Sequence, residues 1–189
     1  MPQGTLPLLL GLFFASELTL SIVKRSRRAE GATKADRGSI HALWILITLA
    51  ITSAIAASSL PAGRMGLTPG MIRAVALVFL VGGLAVRWWA VITLGKFFTV
   101  DVATHRDHTL VDTGPFRFVR HPSYTGLLSA FFGFGLSLGS WISLALMMTP
   151  ILLAFAYRMR IEEAALRRVL GAAYDDYCSR TKRLIPGLI

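Results

Sequence analysis

Five apolar runs divide the chain: residues 6–23, 40–59, 72–94, 123–138 and 141–157. Crossing the hydrocarbon core as an α-helix takes about 20 mostly apolar residues, because lipid offers no partners for unpaired backbone N–H and C=O groups. The first three runs are close to that length. The last two are shorter and are joined only by Gly139 and Ser140, the pattern of a tight helical hairpin. Pro150 lacks the N–H that would donate to the Leu146 carbonyl, so a kink is expected in the fifth helix. A soluble domain of this length has to cover itself with polar surface. With 54% hydrophobic residues and a mean hydropathy of +0.60, this chain is too apolar to do so. The expected fold is therefore all-α: one integral membrane domain over residues 1–189 with about five transmembrane helices.

Charge orients these helices. The net charge of +10 would suggest nucleic acid in a soluble protein, but here the basic residues cluster between apolar runs. The excess of Lys and Arg in cytoplasmic loops explains them better, and no nucleic-acid partner is expected. Lys24, Arg25, Arg27, Arg28, Lys34 and Arg37 follow the first run, and Lys96, Arg106, Arg117 and Arg120 follow the third. Between the second and third runs there is only Arg64, with Arg73 just beyond. Alternate connections are thus basic. The first connection, the third and the C-terminus are expected in the cytoplasm, with the protein in the cytoplasmic membrane. No basic residue precedes the first run, the reverse of a secretory signal, so a retained span with an outside N-terminus is expected. Cys178 is the sole cysteine, which rules out an intrachain disulfide.

Beyond residue 157 the helix is expected to continue into the cytosol. Leu166, Val169, Leu170, Ala173, Tyr174 and Tyr177 recur at helical spacing, Gly171 interrupts them, and Ile185-Pro186-Gly187 ends the pattern. Two charges fall inside apolar runs, Glu17 in the first and Arg87 in the third. Such charges are costly, and each is a functional hypothesis by default. Arg87 can snorkel or line a cavity; Glu17 can be protonated, pair with another helix, or lie near the surface. Gly126, Gly133, Gly135 and Gly139 suit close helix approach.

The remaining polar residues gather in two stretches on the expected cytoplasmic side. One runs from His105 and His108 through Gly114-Pro115 to Arg120-His121-Pro122-Ser123-Tyr124; the other holds Arg158, Arg160, Glu162 and Glu163. Pro122 forces His121 out of the helical region and suits a first helical turn. The free N–H groups there, with Arg120 and His121 beside them, can hold an anion such as a carboxylate. The same residues also fit a simple anchor at the membrane interface. Arg158 and Glu162 are four apart, as are Glu163 and Arg167, and such pairs add about 0.3–0.5 kcal/mol to a helix. The carboxylates can instead receive a cofactor's ammonium or ribose. No Gly-rich strand-to-helix fingerprint is present, and His105 with His108 alone makes no metal site, so none is expected.

Gly114-Pro115-Phe116-Arg117-Phe118-Val119-Arg120-His121-Pro122-Ser123-Tyr124-Thr125-Gly126 resembles the signature of the isoprenylcysteine carboxyl methyltransferase family, roughly G-P-[YF]-x-x-x-R-H-P-x-Y-x-G. The stretch from Glu162-Glu163 through Leu170-Gly171-Ala172-Ala173-Tyr174 and Tyr177 to Arg183-Leu184-Ile185-Pro186 resembles the family's second element, with Leu170 where Phe is common. The resemblance covers residues 94–189. With the three N-terminal spans read from the apolar runs in residues 1–94, it implies a catalytic region in 95–189, built from a two-helix hairpin and a cytoplasmic C-terminal helix. It implies S-adenosylmethionine held by His121, Pro122 and Tyr124, by Glu162 or Glu163, and by His108 and Leu110. Arg120, with Arg158 or Arg160, is implied for the acceptor carboxylate. The expected partners are membrane lipid and a lipophilic or prenylated substrate. A phospholipid N-methyltransferase, a nicotinamide-dependent membrane reductase and a non-enzymatic scaffold are the alternatives.

Overall fold

The computed structural model describes residues 5–23, 33–34, 39–95, 103–104 and 110–188. Their helices are α1 (Thr5–Val23), α2 (Ser39–Ala57), α3 (Pro69–Leu94), α4 (Pro122–Ser137), α5 (Trp141–Leu170) and α6 (Ala172–Arg180), with a 3₁₀ turn at Gly114–Arg117. The first four helices coincide with the first four apolar runs to within three residues. The fifth run is the first half of α5, which continues through Pro150 without a break and carries the polar stretch beyond Tyr157. Among the described residues, α3 and α5 are long and apolar enough to cross a membrane; the apolar segments Gly11–Leu20 and Leu43–Ala57 are shorter.

Local chemistry sets the ends. Thr68 caps α3 by accepting from the Met71 N–H, and Pro69 opens the first turn. Ser140 caps α5 in the same way, accepting from the Ser143 N–H. Gly171 ends α5 at φ +54°, in the left-handed region that favours glycine, and its N–H still reaches the Arg167 carbonyl.

The hairpin α4–α5 packs between the other helices. α4 lies directly on α3: a Cβ at Gly133 would stand 2.5 Å from the Ala76 carbonyl oxygen and 2.7 Å from the Leu80 nitrogen. Backbones meet there with no side chain between them. α2 lies against α5. Phe13, Leu80, Phe131, Phe134, Met147, Ile151 and Phe155 form the shared core. The outer faces carry Val78 at 70% exposure, Ile92 at 68% and Leu153 at 67%, a surface that suits lipid rather than water.

The connections sort into two groups. Thr33–Lys34 of the first connection pairs antiparallel with Ala103–Thr104 of the third. At the other end, the Trp141 N–H donates to the Gly63 carbonyl and the Met65 N–H to that of Gly139, joining the second connection to the α4–α5 turn. The first and third connections thus meet at one end of the described helices, and the second connection meets the α4–α5 turn at the other. After α6 the chain returns to the start of α4, where the signature residues lie.

Candidate functional site

Gly114, at φ +57°, turns the chain beneath the end of α3, and Pro115 and Phe116 are buried in the 3₁₀ turn. The chain then runs extended for a few residues beside the C-terminal tail. The Arg120 N–H donates to the Lys182 carbonyl at 2.7 Å and the His121 N–H to that of Arg183 at 2.9 Å. The Thr125 hydroxyl donates to the Leu184 carbonyl at 2.8 Å, and the Tyr177 hydroxyl to that of Phe116 at 2.6 Å. Burial pushes the Tyr177 phenol up to about 12, so it remains a donor. These bonds tie the tail onto the signature turn.

Glu163 lies at the centre of this latch, 1% exposed. Its Oε1 accepts from Arg120 Nε at 3.2 Å and Arg183 Nε at 3.0 Å, and lies 3.3 Å from His121 Nε2. Its Oε2 accepts from Arg183 Nη2 at 2.8 Å. Arg120 Nη1 donates onward to the carbonyls of Cys178 and Thr181. Glu163 therefore bonds across the fold rather than along its helix, and Arg167, four residues on, bonds to Asp175.

Glu163 is also six residues beyond Tyr157, outside the apolar part of α5. Burial alone would raise its carboxyl, but the hydrogen bonds from His121 and Arg183 outweigh burial and hold it well below the ordinary carboxylate range. A depressed carboxyl adds stability above its unfolded value of about 4.3, and that stability is lost as pH falls toward the folded value. The thermal midpoint of the wild type should thus exceed that of Glu163→Gln at pH 7. Melts between pH 7 and pH 3 should show the gap closing only below about pH 4.

A second polar group stands one turn deeper. Arg158 Nε donates to the Tyr124 hydroxyl at 3.0 Å, and Glu162 lies one turn along α5 from Arg158, near enough for its charge to act on the same phenol. The Tyr124 ring packs against His121 at 5.6 Å and Phe155 at 5.1 Å between centroids. Arg158 is buried, while Tyr124 and Glu162 are half-buried.

The expected site residues are thus brought together with few exceptions. Arg120, His121, Pro122, Tyr124, Arg158, Glu162 and Glu163 share one end of the α4–α5 hairpin. Leu110 is half-buried just ahead of the Gly-Pro turn. Arg160 is on the exposed face of α5, turned away from Arg158. His108 lies outside the described residues. Sequence reasoning gave no role to Arg183, Thr125 or Thr181, which the tail brings against the signature. The signals for them were the place of Thr125 inside the signature and of Arg183 three residues before Pro186 in the tail; Thr181 had none. Among the described residues no cluster of three metal-ligating side chains occurs. A buried carboxylate hub behind the side chains of Arg158, Tyr124 and Glu162 can bind an anion and a cation side by side against apolar walls.

Residues 75–168 match the family model described as the isoprenylcysteine carboxyl methyltransferase family. Over 113 residues the chain is 35% identical to a protein-S-isoprenylcysteine O-methyltransferase of Schizosaccharomyces pombe, covering 59% of this chain and 48% of that protein. It is 31% identical over 114 residues to a probable protein-S-isoprenylcysteine O-methyltransferase of Oryza sativa subsp. indica, covering 59% and 60%. The matched region spans about half to three-fifths of these relatives' length. The fold resembles the solved structure of the eukaryotic intramembrane Ras methyltransferase ICMT, with a TM-score of 0.61 over 95% of this chain and 64% of that one, at 21% identity.

Proposed function

Because the chain belongs to the isoprenylcysteine carboxyl methyltransferase family, we propose that it methylates the carboxylate of an isoprenylcysteine-like acceptor at the cytoplasmic face of a membrane. In this reading α1 to α5 span the bilayer, and the end of α5, α6 and the tail form the cytoplasmic cap. The observation that carries the reading is the Arg158–Tyr124 hydrogen bond, with Glu162 one turn along α5, set at the mouth of the hairpin beside the first-turn N–H groups of α4.

S-adenosylmethionine, when bound, supplies an electrophilic methyl group. The residues fit it: the N-terminus of α4 at His121 and Pro122 suits its carboxylate, and the half-buried Glu162 suits its ammonium or ribose. Tyr124, Leu110 and His108 complete that wall. Glu163 supports from behind, since both its oxygens are taken up by the latch.

The chain's task is then orientation and charge. An acceptor carboxylate is already ionised at neutral pH, so no general base is needed. The guanidinium of Arg158 can fork that carboxylate and aim it, while Arg120 anchors the turn on which His121 and Tyr124 sit. Phe155 and the apolar faces of α4 and α5 exclude water, which strengthens each charge contact. A phospholipid amine acceptor would need a proton removed, and Arg158 would repel its cationic form.

The test is to purify the protein in detergent, measure S-adenosylmethionine binding, and assay transfer to farnesylcysteine and to phosphatidylethanolamine. Binding with transfer to farnesylcysteine is the expected result. A folded sample that does not bind the cofactor overturns the methyltransferase reading; transfer to the amine alone overturns the carboxylate. Arg158→Ala is expected to lower kcat on farnesylcysteine roughly a hundredfold while cofactor affinity changes less than about threefold. Arg158→Lys should fall between, since an ammonium cannot fork a carboxylate. An equal loss of affinity would assign Arg158 to the cofactor instead.

A further inference from the structure

The two intramembrane charges are partners. Arg87 is seven residues from the end of α3 and Glu17 six from the end of α1, so each lies about 10 Å inside its helix end at 1.5 Å per residue. Both are buried, and the pair is bidentate: Arg87 Nε donates to Glu17 Oε1 and Nη2 to Oε2, each at 2.6 Å. Beside it the Trp88 indole donates to the Ser16 hydroxyl at 2.7 Å, which fixes the rotation of α1 against α3.

The fork leaves Nη1, which donates to the Ser123 hydroxyl at 2.8 Å. Glu17 already neutralises Arg87, so this third bond is not needed for charge balance. Its effect is positional. Ser123 is the second residue of α4, between Pro122 and Tyr124. A planar guanidinium held through two of its nitrogens presents the third in a fixed direction. Gly126, one turn on, brings α4 close to the Arg87 backbone at the same level.

We propose that Arg87 is a positioning residue for methyl transfer, holding the Pro122–Tyr124 turn in place through Ser123, and that Glu17 makes the first helix part of the active unit. Residue 17 lies outside the region that the family model matches, residues 75–168. The proposal rests on the methyltransferase reading above.

The test uses the full chain in detergent with S-adenosylmethionine and farnesylcysteine, comparing wild type, Ser123→Ala, Ser123→Thr, Arg87→Lys and the Ser123→Ala/Arg87→Lys double variant. Ser123→Ala is expected to lower kcat roughly tenfold, as for a lost hydrogen bond to a charged group. Its thermal midpoint should stay within about 2 °C of wild type, because the ion pair is untouched. Ser123→Thr keeps the hydroxyl and should recover most of the rate. In the double variant the two losses should not add, since both variants sever one link. An active wild type with Ser123→Ala at the same kcat overturns this proposal alone, as do losses that add in full. A wild type that neither binds nor transfers overturns both readings together.

Discussion

Glu163→Ala is expected to abolish methyl transfer and to lower the thermal midpoint by roughly 10 °C, as follows from breaking a buried ion pair at about 3–5 kcal/mol. The side chain is almost fully enclosed, and it gathers Arg120 and His121 from the signature turn and Arg183 from the tail. Removing it leaves the Arg120 guanidinium, 11% exposed, without its carboxylate. Arg183 is 40% exposed, so water screens part of its share and the loss falls mainly on Arg120 and His121. Glu163→Gln keeps an acceptor and the shape, and should lose less. The neighbouring Glu162→Gln is the contrast: it should weaken S-adenosylmethionine binding while leaving the midpoint within about 2 °C. Melts and binding curves in one detergent check both. A Glu163→Ala protein that melts with the wild type would remove Glu163 from the centre of the latch.

The second large effect is expected at Gly126. A Cβ there would stand 2.5 Å from the Gly83 carbonyl oxygen and 2.7 Å from the Arg87 nitrogen. Both neighbours are backbone, so neither can swing aside, and α3 and α4 must separate. Overpacking usually costs about 1–3 kcal/mol, and a clash between two helix backbones belongs at or above the top of that range. Gly126→Val should give little folded protein, and Gly126→Ala a clearly lower midpoint. Gly82, on the same helix as Gly83, has nothing within 4 Å of its Cβ position. Gly82→Ala should therefore be neutral or slightly stabilising, by up to about 1 kcal/mol of helix propensity. Equal melting of the two alanine variants would show that the α3–α4 contact tolerates a methyl group.

Much of the fold was legible because its signals are local. The apolar runs, together with Pro122, the Gly139-Ser140 joint and Gly171, define helices to within a few residues, since caps and breakers act where they stand. Partners across the fold were less legible. The four-residue spacing of Glu163 and Arg167 suggests a helical ion pair, yet Glu163 takes Arg183, 20 residues away, and Arg120, 43 away. Helical spacing reports only neighbours on one helix; burial of the whole tail decides the rest. Likewise Arg158 and Arg160 look equivalent in sequence, and packing alone turns the first inward. Glu17 and Arg87 lie between these cases. Each is anomalous by itself, but only their common depth, 70 residues apart in sequence, marks them as a pair.

Ionic strength should draw a line through this molecule. Arg167 with Asp175, and Arg180 with Asp176 and Asp112, are exposed pairs that link α6 to its surroundings, open to counter-ions. Glu163 and its partners are mostly shielded, and the Glu17–Arg87 fork lies between packed helices, where dissolved ions do not reach. Salt thus loosens the outer face of the cap while the joint between α1 and α3 keeps its full strength. The charges fall into two populations, one answering to the solvent and one to the packing of the helices.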